Sequence, residues 1–188
     1  MKQVSEFTQT VVDEIRATLS RVSDGQAAAL VDEIEKAEQI IVAGAGRSGL
    51  MARAFCLRLV HLGLRAYVAG ETVTPALGQR DLLFVASGSG ATGSLMVMAE
   101  EAKQRVGARL AHVTIDEDSP IARLADTVLV IPAPSPKVRR QLAHASIQPM
   151  GSLFEQSLLL VLDALILLVM ERKGILPSTM FGRHANLE

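Results

Sequence analysis

Apolar residues recur along this chain in two rhythms. From Phe7 to Val22 they come at three- and four-residue steps, at Phe7, Val11, Val12, Ile15, Leu19 and Val22, with Asp13, Glu14, Arg16 and Arg21 between them. That spacing predicts an amphipathic helix. A second helix is expected from Asp24, read as its N-cap, through Leu30, Val31 and Ile34 to about Lys36. Beyond it the rhythm changes to short, mostly apolar runs read as strands: Gln39–Ala43, Ala66–Ala69, Leu82–Ala86, Leu110–Ile115 and Thr127–Ile131. The first of them, apolar and β-branched without polar alternation, suits a parallel strand buried on both faces. Between them lie helical stretches, through Met51, Phe55, Leu59 and Leu62 to about Gly63, from about Thr92 to Arg105, and a short one after Asp116–Pro120. The expected fold is therefore α/β: one domain over 1–188, with a five-stranded parallel sheet flanked by helices on both faces and a helical extension over about 1–37.

After the fifth run the pattern breaks. Pro132, Pro134, Pro136 and Pro149 bracket a polar stretch with Lys137, Arg139, Arg140 and His144, read as an extended connector crossing the rim of a site. A long apolar helix is then expected from Ser152. Its most apolar part, Ser157 to Met170, is 14 residues interrupted by Asp163, shorter than the roughly 20 residues that span a bilayer. Such a helix belongs in a core, with one face against another subunit. The tail Phe181–Glu188 is polar.

Composition narrows the function classes. With 188 residues, 49% of them hydrophobic, the chain can bury a large single core. Nineteen Lys and Arg balance 20 Asp and Glu, so there is no general basic field for nucleic acid or an anionic membrane, and anion recognition must be local. Cys56 is the single cysteine, which excludes an intrachain disulfide and fits a reducing compartment. Met1–Glu6 lacks an apolar secretory core, so a cytoplasmic location is expected. The four His and one Cys show no metal-ligand spacing. His61 and His112, within a helix and a strand, read as structural, and Met96 and Met98 as core filler.

Two loops carry the candidate chemistry. Ser87-Gly88-Ser89-Gly90-Ala91-Thr92 follows a strand directly and opens a helix. Glycines, hydroxyls and a helix N-terminus together make a phosphate cradle. Gly44-Ala45-Gly46-Arg47-Ser48-Gly49 fits the dinucleotide pattern G-x-G-x-x-G in the right context. Yet Tyr67-Val68-Ala69-Gly70 stands where that pattern needs an acidic residue, and Glu71 comes only afterwards. The same glycines also serve a plain tight turn. Ser152-Leu153-Phe154-Glu155 fits the capping box, in which Glu155 reaches back to the helix start.

Five stretches in order resemble the sugar isomerase (SIS) domain family: Gly44–Gly49, Gly70–Ala76, Ser87–Thr92, Gly151–Glu155 and Arg183–Glu188. Within it the likeness is to the branch acting on hexulose 6-phosphates. The resemblance implies a flavodoxin-like sheet, a homo-oligomer (a tetramer), a phosphorylated sugar as substrate, and neither metal nor cofactor. It implies interconversion of D-arabino-3-hexulose 6-phosphate and D-fructose 6-phosphate through a cis-enediol, in the ribulose monophosphate route of formaldehyde assimilation or detoxification. It makes Glu155 the base and His184 an acid/base for ring opening or hydroxyl protons, supplied in some arrangements by a neighbouring subunit. Arg47, Ser48, Ser87, Gly88, Ser89 and Thr92 become the substrate contacts. Two departures stand out: Ala91 where the family's loop usually carries Glu, and Ser152 where Thr is common. An arabinose 5-phosphate isomerase, a non-catalytic sugar-phosphate sensor and a dinucleotide enzyme remain as alternatives.

Overall fold

The computed structural model describes residues 3–136 and 146–186. Lys137, Arg139, Arg140 and His144 of the connector, and the last two residues of the tail, lie outside the described residues. Two helices, α1 (Val4–Leu19) and α2 (Asp24–Lys36), precede β1 (Ile40–Gly44) and α3 (Gly46–His61). Then come β2 (Ala66–Val68), β3 (Leu82–Ala86), and α4 (Gly93–Glu100), which loosens into a π-helical turn over Glu101–Val106. The chain continues through β4 (Arg109–Thr114), α5 (Pro120–Leu124), β5 (Thr127–Val130), α6 (Ser152–Lys173) and α7 (Pro177–Phe181). All strand pairs are parallel, in the order β2-β1-β3-β4-β5. That is the flavodoxin-like order, whose crevice lies beyond the carboxyl ends of the strands where the winding reverses, here between β1 and β3.

Each apolar run feeds two cores because successive strand residues point to opposite faces. Ile40, Val42, Leu82, Phe84 and Ala86 face the core that contains α2, α3 and α6, while Ile41, Ala43, Leu83 and Val85 face the one closed by α4 and Ile121 of α5. Phe55 of α3 packs against Phe84 with ring centroids 4.9 Å apart. Cys56 is buried beside them in α3, and burial pushes its thiol up to about 11 despite the nearby Arg53 guanidinium. The first glycine loop is explained by close packing. A Cβ on Gly49 would sit 2.7 Å from the Gly44 carbonyl oxygen, and one on Gly44 would sit 2.9 Å from Gly49 Cα.

Two expectations are corrected. The N-cap of α2 is Ser23 and not Asp24, since Ser23 Oγ accepts from the Gln26 amide at 3.3 Å. And α6 runs for 22 residues, long and apolar enough to cross a bilayer by length and composition alone, with half of its most apolar window buried inside the molecule. Leu158, Leu162, Leu165 and Val169 form its packed side; Leu160 and Leu167 are exposed.

Beneath the second loop sits His112 of β4, fully buried. Its Nδ1 lies 3.0 Å from the Val85 carbonyl, an acceptor, so that nitrogen carries the proton. Burial lowers its pKa from 6.5 to about 4, outweighing the hydrogen bond to Val85. Between those two values the unfolded chain binds a proton that the folded chain does not, so stability falls as pH drops from 6.5 toward 4, by on the order of 3 kcal/mol. Thermal unfolding as a function of pH should show this loss, and His112→Leu should flatten the profile over that window.

Candidate active site

The carboxyl ends of β1 and β3 open into a cleft of about 440 Å³. One wall is the Ser87–Thr92 loop, which the backbone holds from below. Ile115 N–H and Thr114 Oγ1 donate to the Gly88 carbonyl at 3.1 and 3.2 Å, and Ile121 N–H donates to the Gly90 carbonyl at 3.0 Å. With these carbonyls bound to donors from the β4–α5 segment, their lone pairs are not left to oppose an anion in the cleft. Gly90 has φ of +53°, and a Cβ there would lie 2.9 Å from His112 Nε2 and closer still to the Ser119 hydroxyl. Only glycine fits. Ser87, Gly88, Ser89 and Thr92 all line the cleft, and Thr92 is the N-cap of α4 without using its side chain for the cap. Ala91 is exposed.

The opposite wall comes from the first turns of α3 and α6. Arg47 and Ser48 of α3 face Ser152 and Glu155 of α6 across the cleft. Arg47 Nη1 donates to Ser152 Oγ at 2.9 Å and pairs with Glu155 Oε2 at 3.2 Å. The guanidinium side chain is 56% exposed and the carboxylate side chain 17%, so the acid is the shielded partner. The capping box expected from Ser152 and Glu155 does not form. The N-cap is Gly151, no side chain caps the helix, and Ser152 is the first helical residue, with its hydroxyl turned to Arg47. Glu155 is thereby left facing the cleft.

Seven of the eight residues singled out in the sequence thus meet in one place: Arg47, Ser48, Ser87, Gly88, Ser89, Thr92 and Glu155. His184 does not join them within one chain. It stacks on His61 at the far end of α3, with ring centroids 5.4 Å apart, beside Phe181. That second cavity, about 410 Å³, also takes in Arg58 and Asp163. Arg58 lies eleven residues beyond Arg47 on the same helix, about 16 Å at 1.5 Å per residue. Ser135, Pro136, Pro149 and Met150, from the two ends of the connector, complete the cleft, with Ile115 and Phe154 against Gly88. The proline-flanked stretch marked the rim in the sequence, but nothing in it identified Met150. Its φ of +58° is unusual for a residue with a side chain. The acidic residue after β2, Glu71, is paired with Arg53. No group of three or more His, Cys, Asp or Glu placed to hold a metal occurs among the described residues.

The chain has known relatives. The SIS domain model matches residues 33–160. The chain is 45% identical over 186 residues to the 3-hexulose-6-phosphate isomerase of Bacillus subtilis, covering 99% of this chain and all of the relative. It is 44% identical over 178 residues to the enzyme of that name from Mycobacterium gastri, covering 95% and 88%. A solved structure from Methanococcus jannaschii, from which a molecular function of 3-hexulose-6-phosphate isomerase was inferred, superposes with a TM-score of 0.83 at 31% identity, covering 97% of this chain and 99% of the other. With its parallel sheet, its two convergent loops and these relatives over nearly its whole length, the chain belongs to the SIS domain family.

Proposed function

We propose that this protein is an isomerase interconverting D-arabino-3-hexulose 6-phosphate and D-fructose 6-phosphate. The observation that carries the reading is the shielded carboxylate of Glu155 facing a hydroxyl-rich, carbonyl-poor loop across one cleft. The hydroxyls of Ser87, Ser89 and Thr92, with Ser48, take the phosphate. Glu155 removes the proton at C2 of the hexulose, generating a cis-enediolate, and returns it at C3 to give the fructose skeleton. Arg47 pairs with the carboxylate in the resting site and brings a positive charge to the side of the cleft where the enediolate oxygens form. Relatives bearing this activity's name at 44–45% identity support the choice of sugar. We place this reaction in the ribulose monophosphate route of formaldehyde assimilation or detoxification, in the cytoplasm.

His184 completes the reading as an acid/base for ring opening or for hydroxyl protons, contributed by a neighbouring copy. The exposed Leu167 and Phe181 line its cavity, and the exposed Leu57 and Val60 are the sequence neighbours of Arg58 and His61 in its wall, an apolar surface suited to burial between subunits. A homotetramer is the assembly we propose.

Turnover and solvent exchange test the base, and mass and subunit mixing test the assembly. Since no side-chain cap is formed at α6, Glu155→Gln leaves the helix start unaltered but cannot accept the proton. Turnover should fall about 10² to 10⁴-fold with little change in thermal midpoint. Deuterium should no longer enter the substrate carbon from solvent; wild-type exchange in this variant would move the base elsewhere. For the assembly, light scattering at micromolar concentration should give a mass above that of one chain. Mixing inactive Glu155→Gln and His184→Ala proteins should restore activity through sites that draw one intact residue from each subunit. A monomeric mass, or mixtures that stay inactive, would reject the shared site.

A further inference from the structure

The family model begins at residue 33, beyond α1, yet α1 holds both ends of the connector that walls the cleft. At the near end, Arg21 Nη2, just past the helix, donates to the Pro132 carbonyl at 2.7 Å, three residues before the cleft-lining Ser135 and Pro136. At the far end the contact is a carboxylate. Glu14 Oε2 accepts from Ser146 Oγ at 2.7 Å and from Gln148 Nε2 at 3.0 Å, and Glu14 Oε1 accepts from the Ile147 amide at 2.8 Å. Ser146 Oγ in turn accepts from the Gln148 amide at 3.0 Å. Three consecutive residues are thus gathered on one side chain more than 130 positions away.

Glu14 lies on the same helix face as Val11, Thr18 and the core-packed Ile15, a poor place for an acid without partners. Burial alone raises its pKa, but the bonds from Ser146, Gln148 and Ile147 together outweigh burial and hold it below the ordinary carboxylate value. Charge-assisted bonds of this kind are the stronger class. Immediately after Gln148 come Pro149, whose carbonyl accepts from the Ser152 amide at 3.2 Å, and Met150, held at φ of +58°. A side-chain-bearing residue keeps that conformation only where its surroundings impose it. The turn then delivers Ser152 and Glu155 to Arg47.

We propose that Glu14 is a positioning residue for the isomerase site: by binding Ser146, Ile147 and Gln148 it fixes the Pro149–Gly151 turn, and through it the placement of Ser152 and Glu155. The proposal rests on the function given above. Glu14 touches no substrate and reaches the site only through the connector.

The test uses the full-length protein with Glu14→Gln, which keeps one carbonyl acceptor but turns a donor toward the Ser146–Gln148 donors, and Glu14→Ala as a second variant. Asp13→Asn, at the exposed neighbouring position, is the control. Amide hydrogen exchange should quicken over residues 146–155 in both Glu14 variants while the strands stay protected. The kcat should fall about tenfold with the KM for fructose 6-phosphate changed by less than about threefold, because the base is displaced while the Ser87–Thr92 loop stays anchored from β4 and α5. Unchanged exchange at 146–155 would overturn the proposal. So would an unchanged kcat accompanied by a general loss of protection, the signature of a merely structural contact. If the wild-type protein converts no hexulose 6-phosphate, the function is wrong; the exchange experiment needs no turnover and still decides whether Glu14 orders the turn.

Discussion

The site depends on how the backbone of Gly88 and Gly90 is tied down. Their carbonyls are bound by donors from the segment after β4, which keeps acceptor lone pairs from opposing an anion at the end of β3. The anchorage is possible because β4 runs parallel to β3 in register, with Ala86 opposite Val113, so the two chains leave the sheet together. It also dictates what lies underneath. Gly90 is held so close to His112 and Ser119 that no side chain can grow there, and an imidazole in that position must stay neutral, as its lowered pKa requires.

The second half of the site is an arrangement of two helix starts. Gly44 and Gly49 let α3 approach the end of β1 nearly to backbone contact, which brings Arg47 within reach of α6. One guanidinium then spans Ser152 and Glu155. A cation placed there orients the carboxylate, while its own exposure leaves it able to exchange partners when a charged substrate arrives. Glycines that match a nucleotide-binding pattern are thus accounted for by strand-to-helix packing, with no nucleotide required.

Much of this was legible in the sequence, for identifiable reasons. The run Leu82–Ala86 reads as a doubly buried strand because five consecutive apolar residues have no polar face to offer, and the structure places it at the centre of the sheet. The loop after it is equally readable, since glycines and hydroxyls at a strand end have few other uses. Other features depend on register or distance that pattern does not encode. Ser152-x-x-Glu155 has the spacing of a capping box, but the helix begins one residue too early for Ser152 to cap it, and the long-range partner Arg47 takes the hydroxyl instead. Ser23 and Asp24 are both good caps; only the backbone decides between them. Glu14 looked like one more charge on an amphipathic helix, because its partners lie across the fold. α7 is too short to show a periodicity.

The buried Cys56 has a practical consequence. It is the single thiol in the chain, packed in α3 beside the Phe55–Phe84 contact, and burial keeps it protonated. Thiolates, not thiols, attack electrophiles, so the folded molecule offers no reactive thiolate to aldehydes. A thiol reagent can reach it only when α3 lifts from the sheet. Its labelling rate is therefore a clock for the opening of this core, readable in a chain that contains no tryptophan.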